Sequence, residues 1–394
     1  MSTRLSDGRW LLWEDPAADI LTQVAVGGDY LPPPTTLPDE PVERAKALGP
    51  LVEDIDACFL NLESPILPAG GVPAPKAGLG VNLSSPESAL AYFEPLKVAV
   101  VGLANNHVYD FGVDGERATR SAVGRVGAVA LGSAIKKGSP PSVHVWQGPA
   151  GVKVGFWACA NNTLTQASRR REGVEPATTT RGSSALAALR MGGATTFVAL
   201  VHAGMEHTNY PDPADVSLLH ELAELGFDVV AAAHSHRLSG WTTVLGDGTP
   251  RFCFHGLGSV SSSVIYSGHE RFGALVVVGI GRSGRPARLE LRPIALDKDG
   301  WGQSPDPELE RAVFASCDRI SREIESGSYA NLFYRDLSDE LIRVQLADLV
   351  AAWRAEGPLG IARKLRRTRL KHLQRLLFRL SPSRRTATEH PREP

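Results

Sequence analysis

The chain has 394 residues, of which 43% are hydrophobic and 22% charged, with a formal net charge of −1. These are the proportions of a soluble globular protein with interior for one large domain or two ordinary ones. The near-zero charge excludes a general pull toward nucleic acid or anionic membrane, so any such contact must be local.

Four cysteines, Cys58, Cys159, Cys253 and Cys317, show no CxxC spacing. Three of them lie in apolar strand-like runs, where cysteine acts as a small buried hydrophobe, so all four are expected to be reduced and structural. Asp7, Glu14 and Asp15 interrupt the N-terminal apolar residues, which argues against a signal peptide. No run approaches the roughly 18 apolar residues of a spanning helix. A cytoplasmic location is expected.

In chain order, residues 1–21 form an N-terminal segment, and TQVAVGG (22–28) reads as the first buried strand. LPPPTTLPDEP must be loop, because proline fixes φ and supplies no ladder donor. Residues 42–55 look helical, 56–62 form a second strand, and the Pro- and Gly-rich stretch from Ser64 to Ser85 is a long loop. Ser85 is placed to cap a helix that has Pro86 at its first position and includes Glu87 to Tyr92. A strand at 97–103, a helix over about 113–126, short strands near 128–131 and 142–147, and a strand at 152–160 follow. Residues 163–182, with Arg169 to Arg171, read as a polar surface loop or lid.

The second half repeats the rhythm with a helix at 183–191, a strand at 195–201, a helix at 213–225 and a strand at 227–233. Strands at 240–245, 251–256, 272–280 and 286–295 come next, with Gly246-Asp247-Gly248 as a hairpin signal. From about Pro305 the pattern is helical, with Ser304 or Asp306 as cap. A segment from Ile361 to Arg379 carries eight Lys/Arg, no acid, and leucines at helical spacing. This basic end is read as an amphipathic packing helix, with contact to acidic lipid or a protein partner as the alternative. Residues 305–380 form a helical C-terminal extension, and 381–394 are expected to be disordered. The fold class expected is α/β, a layered mixed β-sandwich flanked by helices.

Six strand-like runs each end in a residue able to bind metal or move a proton: Asp29, Glu63, Asn106 with His107, His202, His234 with His236, and His255. Repetition of that pattern places several strand ends on one rim, where open α/β sheets carry their sites. A dinuclear centre for phosphate-ester chemistry needs a bridging carboxylate, several neutral imidazoles and an amide oxygen. A nearby histidine then protonates the leaving group. Asp29 follows two glycines that permit a sharp turn, and His234 and His236, at i and i+2, can serve two ions from one side.

Six blocks over residues 22–262 carry a resemblance: GGD (27–29), NLES (61–64), LANNHVYDFG (103–112), VHAGMEH (201–207), LAELGFDVVAAAHSH (222–236) and LGS (257–259). They resemble, in order, the capsule-synthesis CapA family, associated with poly-γ-glutamate production and placed in the calcineurin-like metallophosphoesterase superfamily. The resemblance implies a CapA-like metallophosphoesterase domain over 22–296 that holds two divalent ions, Mn, Fe or Zn. It implies Asp29 and His236 on one ion, Glu63 as the bridge, and Asn106, His202 and His234 on the second. His107 would be the general acid.

Asn61, Asn105, Asp110, Glu206, His207 and His255 are expected beside the ions as substrate-contacting or supporting groups, with Asp110 orienting the ANNH loop. The chain departs from the superfamily's Asp-x-His at Asp29-Tyr30-Leu31. It also departs from the family's HWGxEY at His202 to His207, its HHPH-like block at Ala233 to His236, and its SLGNF at His255 to Val260.

The implied activity is hydrolysis of a phosphate ester by a metal-bound hydroxide. The alternatives are a polymer-biosynthesis factor using amide chemistry or transfer, and a non-catalytic binding protein. The expected partner is an anionic small-molecule or polymer substrate, with no nucleic acid.

Overall fold

A computed structural model describes residues 3–5, 9–33, 39–67, 72–74, 82–161, 167, 172–206, 208–246, 248–264, 271–338 and 357–358. The chain divides into two compact units, Met1–Ala330 and Asn331–Pro394. In the second unit residues 331–338 are helical; the basic segment 361–379 and Arg169 to Arg171 lie outside the described residues.

Two sheets build the first unit. The chain lays down β1 (Thr3–Arg4), β2 (Trp10–Glu14), β3 (Ile20–Leu31), β4 (Ala57–Leu62), β5 (Val98–Gly102) and β6 (Val129–Leu131) in the larger sheet. It then makes the smaller sheet from β7 (Val143–Gln147), β8 (Lys153–Ala160), β9 (Thr196–Ala203), β10 (Val229–His234), β11 (Trp241–Gly246) and β12 (Thr249–Phe254). It returns to the larger sheet through β13 (Ser259–Ser262), β14 (Phe272–Gly281), β15 (Pro286–Leu296) and β16 (Gly302–Gln303).

The larger sheet runs β1-β2-β15-β14-β3-β4-β5-β6, with β13 beside the end of β3 and β16 beside β15; the smaller runs β11-β12-β10-β9-β8-β7. Strands β3 to β6 are mutually parallel, as are β8, β9, β10 and β12. Each parallel set therefore delivers its C-terminal ends to one rim.

The sheets face one another. Phe59 of β4 meets Phe156 of β8 edge to face, with ring centroids 4.8 Å apart. The side-chain period of two decides what lies between them. Val154, Phe156 and Ala158 of β8 join the core shared with the larger sheet. Trp157 and Cys159 point the other way, into a cluster with Leu186 and Leu189 of α1 (Thr179–Met191) and Leu219 and Leu222 of α2 (Pro213–Leu225). The result is the expected helix-flanked, layered α/β sandwich. All four cysteines are free and buried.

Several local elements differ from the sequence reading. Strands β1 and β2 lie within the first 21 residues, and β2 pairs with β15, nearly 280 residues away along the chain. The helix expected at 42–55 is split into Glu40–Ala45, a 3-10 turn and Gly49–Val52, because Gly49-Pro50 interrupts its ladder. Residues Glu87–Phe93 form a 3-10 helix with Pro86 extended at its cap, and the Ser85 hydroxyl meets Ser64 Oγ at 2.9 Å instead of capping. The helix Pro307–Glu325 is capped by Asp306, whose Oδ1 accepts from Glu308 N and Leu309 N. Its Phe314 stacks on Trp10 at 3.5 Å. Among the described residues no helix is long and apolar enough to cross a membrane.

Phe156 lies between the sheets at 1% exposure, whereas Met191 at the end of α1 is 84% exposed. Phe156→Ala is expected to cost about 3–5 kcal/mol in denaturant unfolding. Met191→Ala should stay within about 0.5 kcal/mol.

Candidate metal centre

A bulge places the first carboxylate. Along β3 and β4, Val26 pairs with Phe59, yet Asp29 pairs with Asn61, so β3 carries one extra residue between them. Without that residue Asp29 would sit opposite Leu62 and face away from the smaller sheet; with it, Asp29 shares the inner face with Asn61. Gly27 and Gly28 occupy the bulge. A Cβ on Gly28 would stand 2.0 Å from Gly258 O, so only glycine allows the strands to close there. Asp29 N donates to that same Gly258 oxygen at 3.0 Å.

Glu63 follows Asn61 by two positions just beyond β4, and both Asp29 and Glu63 are fully buried. Glu63 Oε1 lies 3.6 Å from His202 Nε2 and 3.7 Å from His234 Nδ1, and its Oε2 lies 3.7 Å from His236 Nε2. His236 Nδ1 stands 3.2 Å from Asp29 Oδ2. Two ligand-capable groups result: Glu63, His202 and His234, and Asp29, Glu63 and His236. Glu63 belongs to both.

The donor set fits divalent cations. Ligand atoms about 2.1 Å from one ion stand roughly 3.0–3.6 Å from each other, close to the gaps observed here. Carboxylate and imidazole donors without thiolate suit Mn²⁺, Fe²⁺ or Zn²⁺.

His202 reaches the inner face by ordinary alternation after Val198 and Leu200 on β9. On β10, Val229, Ala231 and Ala233 face the intersheet core while Val230 and Ala232 face the helices, so simple alternation would turn His234 outward. The backbone breaks that alternation with φ of 101° at His234 and 54° at His236. Such angles are rare for residues with a side chain and cost of order 1–3 kcal/mol each. The bend is held by His234 N donating to Asp29 Oδ2 at 2.8 Å.

The two asparagines after β5 have different surroundings. Asn105 Oδ1 accepts from the backbone N–H of His107 and Val108, and its Nδ2 donates to Leu62 O and Asn61 Oδ1. Asn106 Oδ1 faces His202 Nε2 at 2.9 Å. Asn61 Nδ2 donates to Asp29 Oδ1 at 2.6 Å and stands 3.2 Å from His202 Nδ1. His107 Nδ1 meets Asp110 Oδ2 at 2.7 Å.

Glu206 is further out, with Oε1 3.9 Å from His234 Nδ1. His207 lies outside the described residues. His255 is not brought to the carboxylates: its Nε2 bonds Thr242 Oγ1 at 2.9 Å, and its ring faces His220 at 5.6 Å. Burial, reinforced by His220, pushes its pKa down to about 3.

Three neighbours escaped the sequence reading. Ser259 Oγ stands 3.4 Å from His236 Nδ1, in register opposite Asp29 on β13, a strand too short to read from its own residues. Arg237, directly after His236, donates to Asn209. Asp215 on α2 accepts from Asn161 Nδ2 at 2.5 Å, and burial raises its pKa to about 6. Asn161 N in turn donates to His202 O.

Residues 19–263 match the family described as "Bacterial capsule synthesis protein PGA_cap". The chain belongs to this family. Capsule biosynthesis protein CapA of Bacillus anthracis is 24% identical over 199 residues, 49% of this chain and 48% of that protein. The chain thus spans about half the length of that curated relative.

Among solved structures, the calcineurin-like phosphoesterase YfkN of Bacillus subtilis aligns with a TM-score of 0.43 and 12% identity, over 76% of this chain and 99% of that one. The sulfate thiohydrolase SoxB of Thermus thermophilus aligns with a TM-score of 0.44 and 13% identity, over 77% and 62%.

Within this family member the histidines are electrostatically distinct. Burial drives His202 well below the ordinary imidazole value, helped by His234, His107 and His236. For His236 burial alone also favours the neutral ring, but Glu63 and Asp29 together outweigh it and raise the value to about 9.

At neutral pH the metal-free site therefore carries a proton on His236 that an incoming ion must displace. Mn²⁺ affinity should rise with pH between the ordinary imidazole value of 6.5 and about 9, then level off. The rise should approach about tenfold per pH unit for one displaced proton. Calorimetric titration across this range reads it, and His236→Asn should flatten the slope. Affinity independent of pH in the unsubstituted protein would contradict the account.

Proposed function

We propose that this chain is a metal-dependent hydrolase of phosphate esters. The observation that carries the proposal is a single buried carboxylate, Glu63, shared by two histidine-bearing groups, with the His107–Asp110 pair on the loop that supplies Asn106. Divalent ions held there would lower the pKa of a bound water and polarise the phosphoryl oxygens.

The chain's own residues do the rest. Asp29 and His236 would hold one ion, His202, His234 and Asn106 the other, and Glu63 would touch both. Asn61 orients the Asp29 carboxylate through its 2.6 Å bond, and Asn105 holds the loop that carries Asn106 and His107. Supporting contacts of this kind keep ligands aimed when no substrate is present. Asp110, accepting at Nδ1, fixes the His107 ring and leaves Nε2 as the atom that passes a proton to the departing oxygen.

A second reading follows from the family description and from the name of the Bacillus anthracis relative. It has the same site serving assembly of a capsule-type polymer by amide chemistry or transfer.

A panel of phosphate mono- and diesters, assayed with and without added Mn²⁺, tests the proposal. Metal-dependent turnover, lost in Asp29→Ala and His236→Ala, is expected. Metal bound without turnover on any ester would favour the polymer reading, and failure to retain metal would indicate a non-catalytic binding protein. His107→Gln should keep its metal and lose about 10²–10⁴ in kcat on alkyl esters. The loss should be far smaller on p-nitrophenyl phosphate, whose leaving group needs no proton; equal losses on both would remove the general-acid role.

A further inference from the structure

The long loop between β4 and β5 meets the site at Asp110, and it does so at two places along the loop. Ala74 N donates to Asp110 O at 2.7 Å. Asn82 Nδ2 donates to that same oxygen and to Ala74 O, both at 2.9 Å. An amide nitrogen carries two hydrogens, so this one side chain staples the two stretches of loop to each other and to Asp110. The next residue, Leu83, then donates its N–H to Asp110 Oδ2 at 2.7 Å.

Asp110 is buried, and Oδ2 is also the atom that meets His107 Nδ1 at 2.7 Å. The torsion that turns an aspartate carboxylate is broad, so one partner sets its direction only loosely. Two donors converging on one oxygen, Leu83 N and His107 Nδ1, set it firmly. The turn itself is held from the metal side: Asn105 Oδ1 accepts from His107 N and Val108 N, and Asp110 N donates to His107 O at 2.9 Å. Asn105 thus fixes the backbone of the turn, and the loop, acting through Asp110, fixes the ring.

We propose that Asn82 is a positioning residue for His107: by fastening the loop across Asp110 it puts the Leu83 N–H on the carboxylate that aims the imidazole. The inference rests on the phosphoesterase reading and adds to it a residue outside the six motif blocks and outside the metal ligands. In the step it serves, the departing oxygen leaves with the P–O bonding pair and takes the Nε2 proton, while water supplies the new oxygen on phosphorus. Asn82→Asp keeps the side-chain volume but has no hydrogen to give, and it would face two carbonyl oxygens, so it undoes the staple. Asn61 and Asn105, which support the metal ligands, are untouched by the change.

The test has two arms, both on the full chain. In the first, kcat with Mn²⁺ is compared on an alkyl phosphate and on p-nitrophenyl phosphate. Asn82→Asp and Asn82→Ala should each lose about 10–100-fold on the alkyl ester with metal content unchanged. The loss should be far smaller on p-nitrophenyl phosphate, whose leaving group needs no proton. Asn82→Asp combined with His107→Gln should be no slower than His107→Gln alone, because residues that act as a unit are not additive. The second arm is proton NMR of the Zn²⁺-loaded chain with isotope-labelled histidine. The His107 Nδ1–H signal, identified by its absence in His107→Gln, should exchange slowly with water in the unsubstituted protein and quickly in both Asn82 variants.

Equal losses on the two esters, a further loss in the double variant, or an Nδ1–H signal indifferent to Asn82 overturns the proposal. No turnover of either ester, with an Nδ1–H signal that depends on Asn82, fails the phosphoesterase reading and keeps Asn82 as the residue that positions His107.

Discussion

Two carboxylates on adjacent strands, Asp29 and Glu63, are completely withdrawn from solvent where the two sheets meet. A buried negative charge costs several kcal/mol unless something positive faces it. The larger sheet supplies both acids, and the smaller places His202 and His234 beside Glu63, with His236 just beyond it facing both acids, so the carboxylates meet these nitrogen partners only when the sheets close face to face. Ion binding and sheet packing would therefore be coupled: an ion between these groups would stabilise the folded chain, because the unfolded chain has no such site.

The remaining geometry follows from meeting that requirement with strands that alternate strictly. Alternation delivers Asn61, Glu63 and His202 to the inner face without distortion. Asp29 and His234 fall in the wrong phase, and each is corrected by a different device. Asp29 is rephased by the Gly27-Gly28 bulge, which the close approach of Gly258 reserves for glycine. His234 is turned by a left-handed backbone, and its N–H bond to Asp29 ties the two corrections together across the sheets. Strain located this way at a ligand cluster is the pattern expected when function, not stability, dictates the local backbone.

Much of this was legible in the sequence because the parallel strands are buried on both faces and read as continuous apolar runs ending in a ligand type. The layered α/β class and the central strands were accessible from period and punctuation alone. Strands β1, β2 and β13 were not, since each is short; β2 and β13 are defined by pairing with residues far along the chain, and β1 by pairing with β2. In the sequence the Gly27-Gly28 pair signals only freedom to turn; its role as a phase shift appears once β4 is alongside. His255 shows the limit of the strand-end pattern. It ends its run as the others do, but its ring turns to Thr242 and His220, and only tertiary contacts reveal that. Membership of the capsule synthesis family rests on the match over residues 19–263. The chemistry depends on side-chain distances that no order of motifs contains.

A dinuclear centre at this site requires Glu63 to lie between two ions. Anomalous diffraction from crystals of the full chain soaked in Mn²⁺ measures this directly. Two peaks are predicted, one beside Asp29 and His236 and one beside His202 and His234, with the Glu63 carboxylate reaching both. A single peak, or density that leaves Glu63 uncoordinated, would contradict it.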